Sequence, residues 1–214
     1  MQITPAILTS DINTFSRFIK ELEFTQAVDI DISRPPFVEN TTLQLIDIMN
    51  LIDFDHHSIG FHFMVNDPIR DLEFLINSNA KEKSLRIYLH QESELEFLNH
   101  FEWPQNWVKC VAVKIETPLR TLDFYKQFEE VQLMSIETGK QGNPFKEEVL
   151  NRVEELTKLG YFGKISLDGG INLDTIDKVK NSSVDRLSVG SYLQKSQNVR
   201  ESYRMLEEVL ESKF

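Results

Sequence analysis

The residues best suited to chemistry lie in three short stretches. "VDIDIS" carries Asp29 and Asp31 one residue apart, "IGFHFMV" carries His62, and "SLDGGI" carries Asp168. Alternate residues of a strand face the same way, so Asp29 and Asp31 are expected on one side of their strand. Carboxylates exchange protons near neutral pH when their surroundings raise their pKa. Three of them with one imidazole also make a donor set for a divalent metal ion. The bland alternatives are plain: a strand histidine is often a hydrogen-bonded core residue, and a D-x-D pair can serve capping or ion pairing. A second group of residues suits a phosphate. Gly169 and Gly170 follow Asp168 directly, Gly190 and Ser191 sit in "SVGS", and "ETGKQGNPF" supplies Gly139 and Gly142. Glycine lets backbone amides approach an anion closely, although a Gly-Gly pair also makes an ordinary tight turn.

Bringing these stretches together requires a particular scaffold. Strand-like and helix-like segments alternate along the chain. "QITPAIL", "AVDIDI", "IGFHFMV", "SLRIYLH", "VKCVAVKI", "EVQLMSI", "GKISLD" and "VDRLSV" read as strands. Between them run segments with helical periodicity, among them "DINTFSRFIKELEF" with Asp11 as N-cap and "NTTLQLIDIMNLI" capped near Asn40 or Thr41. "SELEFLNHF", "PLRTLDFYKQF" and "NLDTIDKVKNS" also read as helices, and "PFKEEVLNRVEELTKLG" as one closed by Gly160. Eight strand–helix units in strict order predict parallel strands with helical crossovers, and hence an α/β fold. Closure gives a single (β/α)8 TIM barrel over residues 1–214. The rival, a doubly wound open sheet, lacks a G-x-G-x-x-G after its first strand. In a barrel, function gathers at the C-terminal ends of the strands. Those ends carry Thr9, Arg34, Met64 and His90 besides the residues above.

Composition narrows the partners. The formal net charge of −11 disfavours nucleic acid and anionic membrane surfaces. No apolar run approaches the roughly 20 residues that span a bilayer, and "MQITPAILTSD" lacks the pattern of a secretory leader. One cysteine, Cys110, excludes an internal disulfide framework and is expected to be buried in a strand; a cytoplasmic location follows. His56 and His57 read as surface residues at the far end of the barrel. The region of Trp103 and Trp107 and the final amphipathic helix are candidate subunit contacts.

The order of these motifs resembles the ribulose-phosphate 3-epimerase family over nearly the whole chain. "ITPAILTSD" resembles that family's opening I-x-P-S-I-L-S-A-D, with Ala6 and Thr9 in place of serines. "DIDISRPPFVEN" resembles H-x-D-V-M-D-G-x-F-V-P-N, "FHFMVNDP" resembles H-L-M-V-x-x-P, and "MSIETGKQGNPFKEEVL" resembles M-T-V-N-P-G-F-G-G-Q-x-F-x-x-x-V-L. The resemblance implies metal-assisted proton transfer at the carbon beside a ketone, on a phosphorylated sugar, by a homo-oligomer. It implies Asp29, Asp31, His62 and Asp168 as ligands of a Zn, Fe or Mn ion, with Asp29 standing where the family has a histidine. Asp31 and Asp168 would be catalytic. Thr9, Arg34, Met64, Gly139, Gly142, Gly169, Gly170, Gly190 and Ser191 would bind the substrate and its phosphate. Arg34 occupies the place of an aspartate that the resemblance assigns to proton transfer, and a guanidinium does not shuttle protons. Two readings therefore stay open: a sugar-phosphate epimerase or isomerase, and an altered or inactive member that still binds a phosphorylated sugar. In the second, Arg34 would hold another anionic group or neutralise Asp29, Asp31 and Asp168 in place of a metal.

Overall fold

The computed structural model describes residues 1–138 and 142–212. Eight strands close in sequence order into one barrel: β1 (Gln2–Ile7), β2 (Ala27–Ser33), β3 (Ser58–Met64), β4 (Leu85–His90), β5 (Trp107–Val113), β6 (Glu130–Met134), β7 (Lys164–Asp168) and β8 (Arg186–Val189). Every neighbouring pair is parallel, including β1 with β8. This is the expected (β/α)8 barrel.

The strands obey a strict period of two. One face of β2 carries Val28, Ile30 and Ile32, and one face of β3 carries Ile59, Phe61 and Phe63. Leu85, Ile87 and Leu89 continue the series on β4, and all of these join the main apolar core. They face outward and pack against the helices. The other face of each strand points into the barrel and is mostly polar. Apolar layers usually fill such an interior; here ion pairs do. Arg86 Nη2 lies 2.9 Å from Asp29 Oδ1, and Arg186 Nε lies 3.3 Å from Glu130 Oε1. Tyr88 donates to Glu130 Oε1 at 2.8 Å and Arg186 Nη1 to Thr4 Oγ1 at 3.2 Å. Cys110 is buried among them, as expected of a strand cysteine.

The helices are α1 (Ile12–Glu21), α2 (Leu45–Ile48), α3 (Ile69–Ile76), α4 (Leu122–Tyr125), α5 (Glu148–Lys158), α6 (Ile176–Val179), α7 (Ser191–Gln194) and α8 (Val199–Glu211). Asp11 caps α1, accepting from Thr14 N at 2.6 Å, and Gly160 follows α5 with φ 87°. Several crossovers are shorter than their periodicity predicts. The stretch from Asn40 contracts to one α-turn after Gln44 plus a 3-10 turn, because Thr42 is drawn back to Ser33, donating its backbone N to Ser33 O at 3.1 Å. "SELEFLNHF" forms only a 3-10 turn over Glu96–Asn99. Two surface expectations also fail. His57 is buried, with Nε2 3.2 Å from Leu22 O, and Trp107 is buried at the start of β5. No helix among the described residues is long and apolar enough to cross a membrane.

Candidate active site

The register of β2 on β3 sets Asp31 beside His62, and the end of β7 brings Asp168 to them across the barrel. His62 Nδ1 lies 3.0 Å from Asp31 Oδ1 and 3.2 Å from Asp168 Oδ2. One donor atom from each of the three lies within 4.8 Å of the others. On its other edge, His62 Nε2 lies 3.0 Å from Nε2 of His90, whose Nδ1 is 3.1 Å from Glu92 Oε2. Both imidazoles are buried.

Burial and neighbours shift these groups in opposite directions. Burial pushes Asp31 up to about 6 against its hydrogen bond with His62, which brings it toward the range useful for proton transfer. Burial alone would depress His62, but hydrogen bonds with Asp168 and Asp31 outweigh it and raise the ring to about 10. His90 is pulled down to about 4 by burial, so it is neutral in the neutral range. Glu92 is held down at about 2 because its hydrogen bond with His90 and other donors overcome burial. Two carboxylates and one ring nitrogen converging on a point beside a cavity suit a divalent cation with open coordination positions.

Asp29 and Arg34 are placed elsewhere. Asp29 does not join the cluster, because both of its oxygens are engaged below it. Oδ1 pairs with Arg86, and Oδ2 accepts from Ser188 Oγ at 3.1 Å. Gly60, its register partner on β3, makes the space: a Cβ there would run into Asp29 Oδ1. Arg34 does not neutralise the carboxylates. Its Nη2 lies 2.6 Å from Asp71 Oδ2 at the start of α3, and its Nη1 donates to Gln44 Oε1 at 3.1 Å. It fastens the loop after β2 to α3. Arg34 thus lies outside the cluster of Asp31, His62 and Asp168.

A cavity of about 480 Å3, counting space open to solvent, sits over the cluster. Asp31, Asp168, Met64, Gly142, Gly169, Gly170, Gly190 and Ser191 all line it. Thr9 is not among its lining residues; its Oγ1 accepts from Asp11 N at 3.1 Å and shapes the turn into α1. Gly139 lies outside the described residues. Apolar side chains that sequence reasoning did not assign complete the wall: Ala6, Leu8, Met134, Ile136 and Ile171. Gly169 and Gly170 have φ of 108° and 70°. Ser135 ties the loop after β6 to them, donating its backbone N to Asp168 O at 2.8 Å. A Cβ on Gly170 would lie 2.9 Å from Phe145 Cα. Gly170→Ala is therefore expected to destabilise the fold by about 1–3 kcal/mol through left-handed backbone strain. A urea titration checks this, and an unchanged midpoint would contradict it.

Sequence reasoning also left His90, Glu92 and Arg86 without roles. The signal for the first two was present as "HQE", which ends β4 at His90 and puts Glu92 in the turn directly after it. Arg86 gave no local signal, since its partner Asp29 lies 57 residues away in sequence.

Comparison with known proteins gives a family and a shared barrel. The family model described as "Ribulose-phosphate 3 epimerase family" matches residues 2–194. A ribulose-phosphate 3-epimerase of Mycobacterium leprae is 28% identical over 199 residues, covering 88% of this chain and 86% of the relative. One from Schizosaccharomyces pombe is 26% identical over 208 residues, covering 94% and 90%. Among solved structures, 3-hexulose-6-phosphate synthase from Salmonella typhimurium superposes with a TM-score of 0.69 at 13% identity, covering 98% of each chain. Phosphoribosyl anthranilate isomerase from Thermus thermophilus gives 0.67 at 16% identity and the same coverage. At such identities these two structures establish the shared barrel alone.

Proposed function

Because the chain belongs to the ribulose-phosphate 3-epimerase family, we propose that it epimerises a ribulose-phosphate-type ketose by moving a proton at the carbon beside the ketone. The observation that carries this reading is the convergence of Asp31 and Asp168 on His62 beside the glycine-lined cavity. Inverting a stereocentre needs a proton acceptor on one face and a proton donor on the other. In this reading one of Asp31 and Asp168 is a carboxylate and takes the proton while the C–H electron pair moves toward the carbonyl oxygen. The other is a carboxylic acid and returns a proton to the opposite face, restoring the ketone. Gly169, Gly170, Gly190 and Ser191 would receive the phosphate, with Gly142 closing over it. Met64, Met134 and Ile136 would exclude water from the reacting carbon. Asp31, His62 and Asp168 would hold the divalent ion, which when bound supplies positive charge beside the developing enediolate.

Purified protein should convert ribulose 5-phosphate in the presence of Zn2+, Mn2+ or Fe2+, followed by NMR in D2O. The substrate should exchange its C3 proton for deuterium as it turns over. Neither turnover nor exchange with any of the three ions would refute the reading. Ribulose 5-phosphate at 100 times its Kd should also stabilise the fold by about 2.7 kcal/mol. The proposal includes a cytoplasmic homo-oligomer, which sedimentation and cell fractionation would check.

A further inference from the structure

We propose that Glu92 and His90 are positioning residues that fix the tautomer of His62, so that its Nδ1 presents a lone pair to the point shared with Asp31 and Asp168. The inference rests on reading those three residues as a metal centre.

An ionised carboxylate only accepts, so His90 Nδ1, 3.1 Å from Glu92 Oε2, carries a hydrogen. The carboxylate is itself fixed, because Lys114 donates its backbone N to Glu92 Oε1 at 3.0 Å. With that hydrogen on Nδ1, the acceptor left on the His90 ring is Nε2. That atom is 3.0 Å from His62 Nε2, a distance at which two lone pairs or two hydrogens would repel. Nδ1 of His62 is the atom that faces Asp31 and Asp168, so a cation held there takes the Nδ1 lone pair and Nε2 is left to donate to His90. The rings suit such a bond: their planes are 22° apart and their centroids 5.0 Å apart while the Nε2 atoms nearly touch, so they meet edge to edge and not face to face. Phe37, 4.8 Å from the His90 ring, packs against its side.

With its Nε2 hydrogen committed to His90, His62 can offer only Nδ1 to a cation. The opposite tautomer would aim an N–H at the site and leave no donor there. Histidine ligands are commonly set in this way through their second nitrogen, and loss of such a partner typically weakens metal binding about 10–100-fold.

The test uses Zn2+ and protein labelled with 15N-histidine. Long-range 1H–15N spectra of the Zn2+-loaded wild type should show His62 with hydrogen on Nε2 and the metal on Nδ1. Competition with a chelating dye should give a Zn2+ Kd about 10–100-fold weaker for His90→Phe. His90→Gln, whose side-chain oxygen can accept, should recover most of that loss. Glu92→Ala should weaken binding in the same direction, since His90 is then free to change tautomer. A wild type that binds Zn2+ through Nε2 of His62, or a His90→Phe protein with unchanged Kd, overturns the inference alone. A wild type that takes up no Zn2+ overturns the metal reading and the inference together. Should His90→Phe not fold, the wild-type spectrum and Glu92→Ala decide the matter.

Discussion

Asp168→Asn is expected to lower turnover of ribulose 5-phosphate by about 100- to 10,000-fold, the range for loss of a positioned acid–base group. That corresponds to about 3–5 kcal/mol of barrier. The substitution keeps the shape of the side chain and leaves the Asp168 carbonyl to accept from Ser135 N and Oγ, so the β6–β7 junction should survive. Asparagine neither takes nor gives a proton. Loss of rate alone would not separate proton transfer from metal ligation, because Asp168 is assigned to both. Solvent exchange separates them. If Asp31 and Asp168 serve opposite faces, Asp168→Asn should still wash deuterium into one of the two epimeric substrates, through Asp31, without inverting it. Asp31→Asn should do the same with the other epimer. Equal loss of exchange from both epimers in both variants would mean that the carboxylates act only as ligands.

Much of this was legible in the sequence, and the reasons are physical. The eight strands stood out because apolar residues recur at every second position, as in Val28, Ile30 and Ile32 or Leu85, Ile87 and Leu89. Asp31, His62 and Asp168 were legible because strand ends in a closed barrel all point to one mouth. Their mutual distances were not, since those depend on register and closure. Asp29 shows the limit most clearly. Its spacing from Asp31 correctly implied the same face, but an inward face has depth, and one step down the barrel Asp29 meets Arg86, an arginine 57 residues away in sequence. No local pattern announces that pairing. Arg34 does not neutralise the cluster for a related reason: a residue at a strand end can turn outward, and the nearby Asp71 and Gln44 outcompete the barrel interior for its guanidinium. The short crossovers fail because single-turn helices such as α4 owe their existence to packing on the barrel, which periodicity does not report.

The buried pair that removes Asp29 from the cluster should be among the costliest to disturb. Arg86→Met is expected to destabilise the protein by about 3–5 kcal/mol, because it leaves a carboxylate uncompensated in the interior. The Asp29 and Arg86 side chains are only 1% and 7% exposed, so water cannot readily replace the guanidinium. Ser58 loses its donor as well, since Arg86 Nη1 reaches Ser58 Oγ at 2.6 Å. For a chain of this size the melting midpoint should fall by about 6–20 °C. Adding Asp29→Asn to Arg86→Met should recover a large part of the loss: the amide can still accept from Ser188 and carries no charge. That non-additivity is the signature of a pair and not of two independent packing defects. Urea titrations of the wild type, both single variants and the double variant measure it directly. A double variant no more stable than Arg86→Met would show that the arginine acts by filling space. Recovery in the double variant would instead show that the interior of this barrel is held by charge compensation. Asp29 would then be committed to that role and withheld from any ion bound by Asp31, His62 and Asp168.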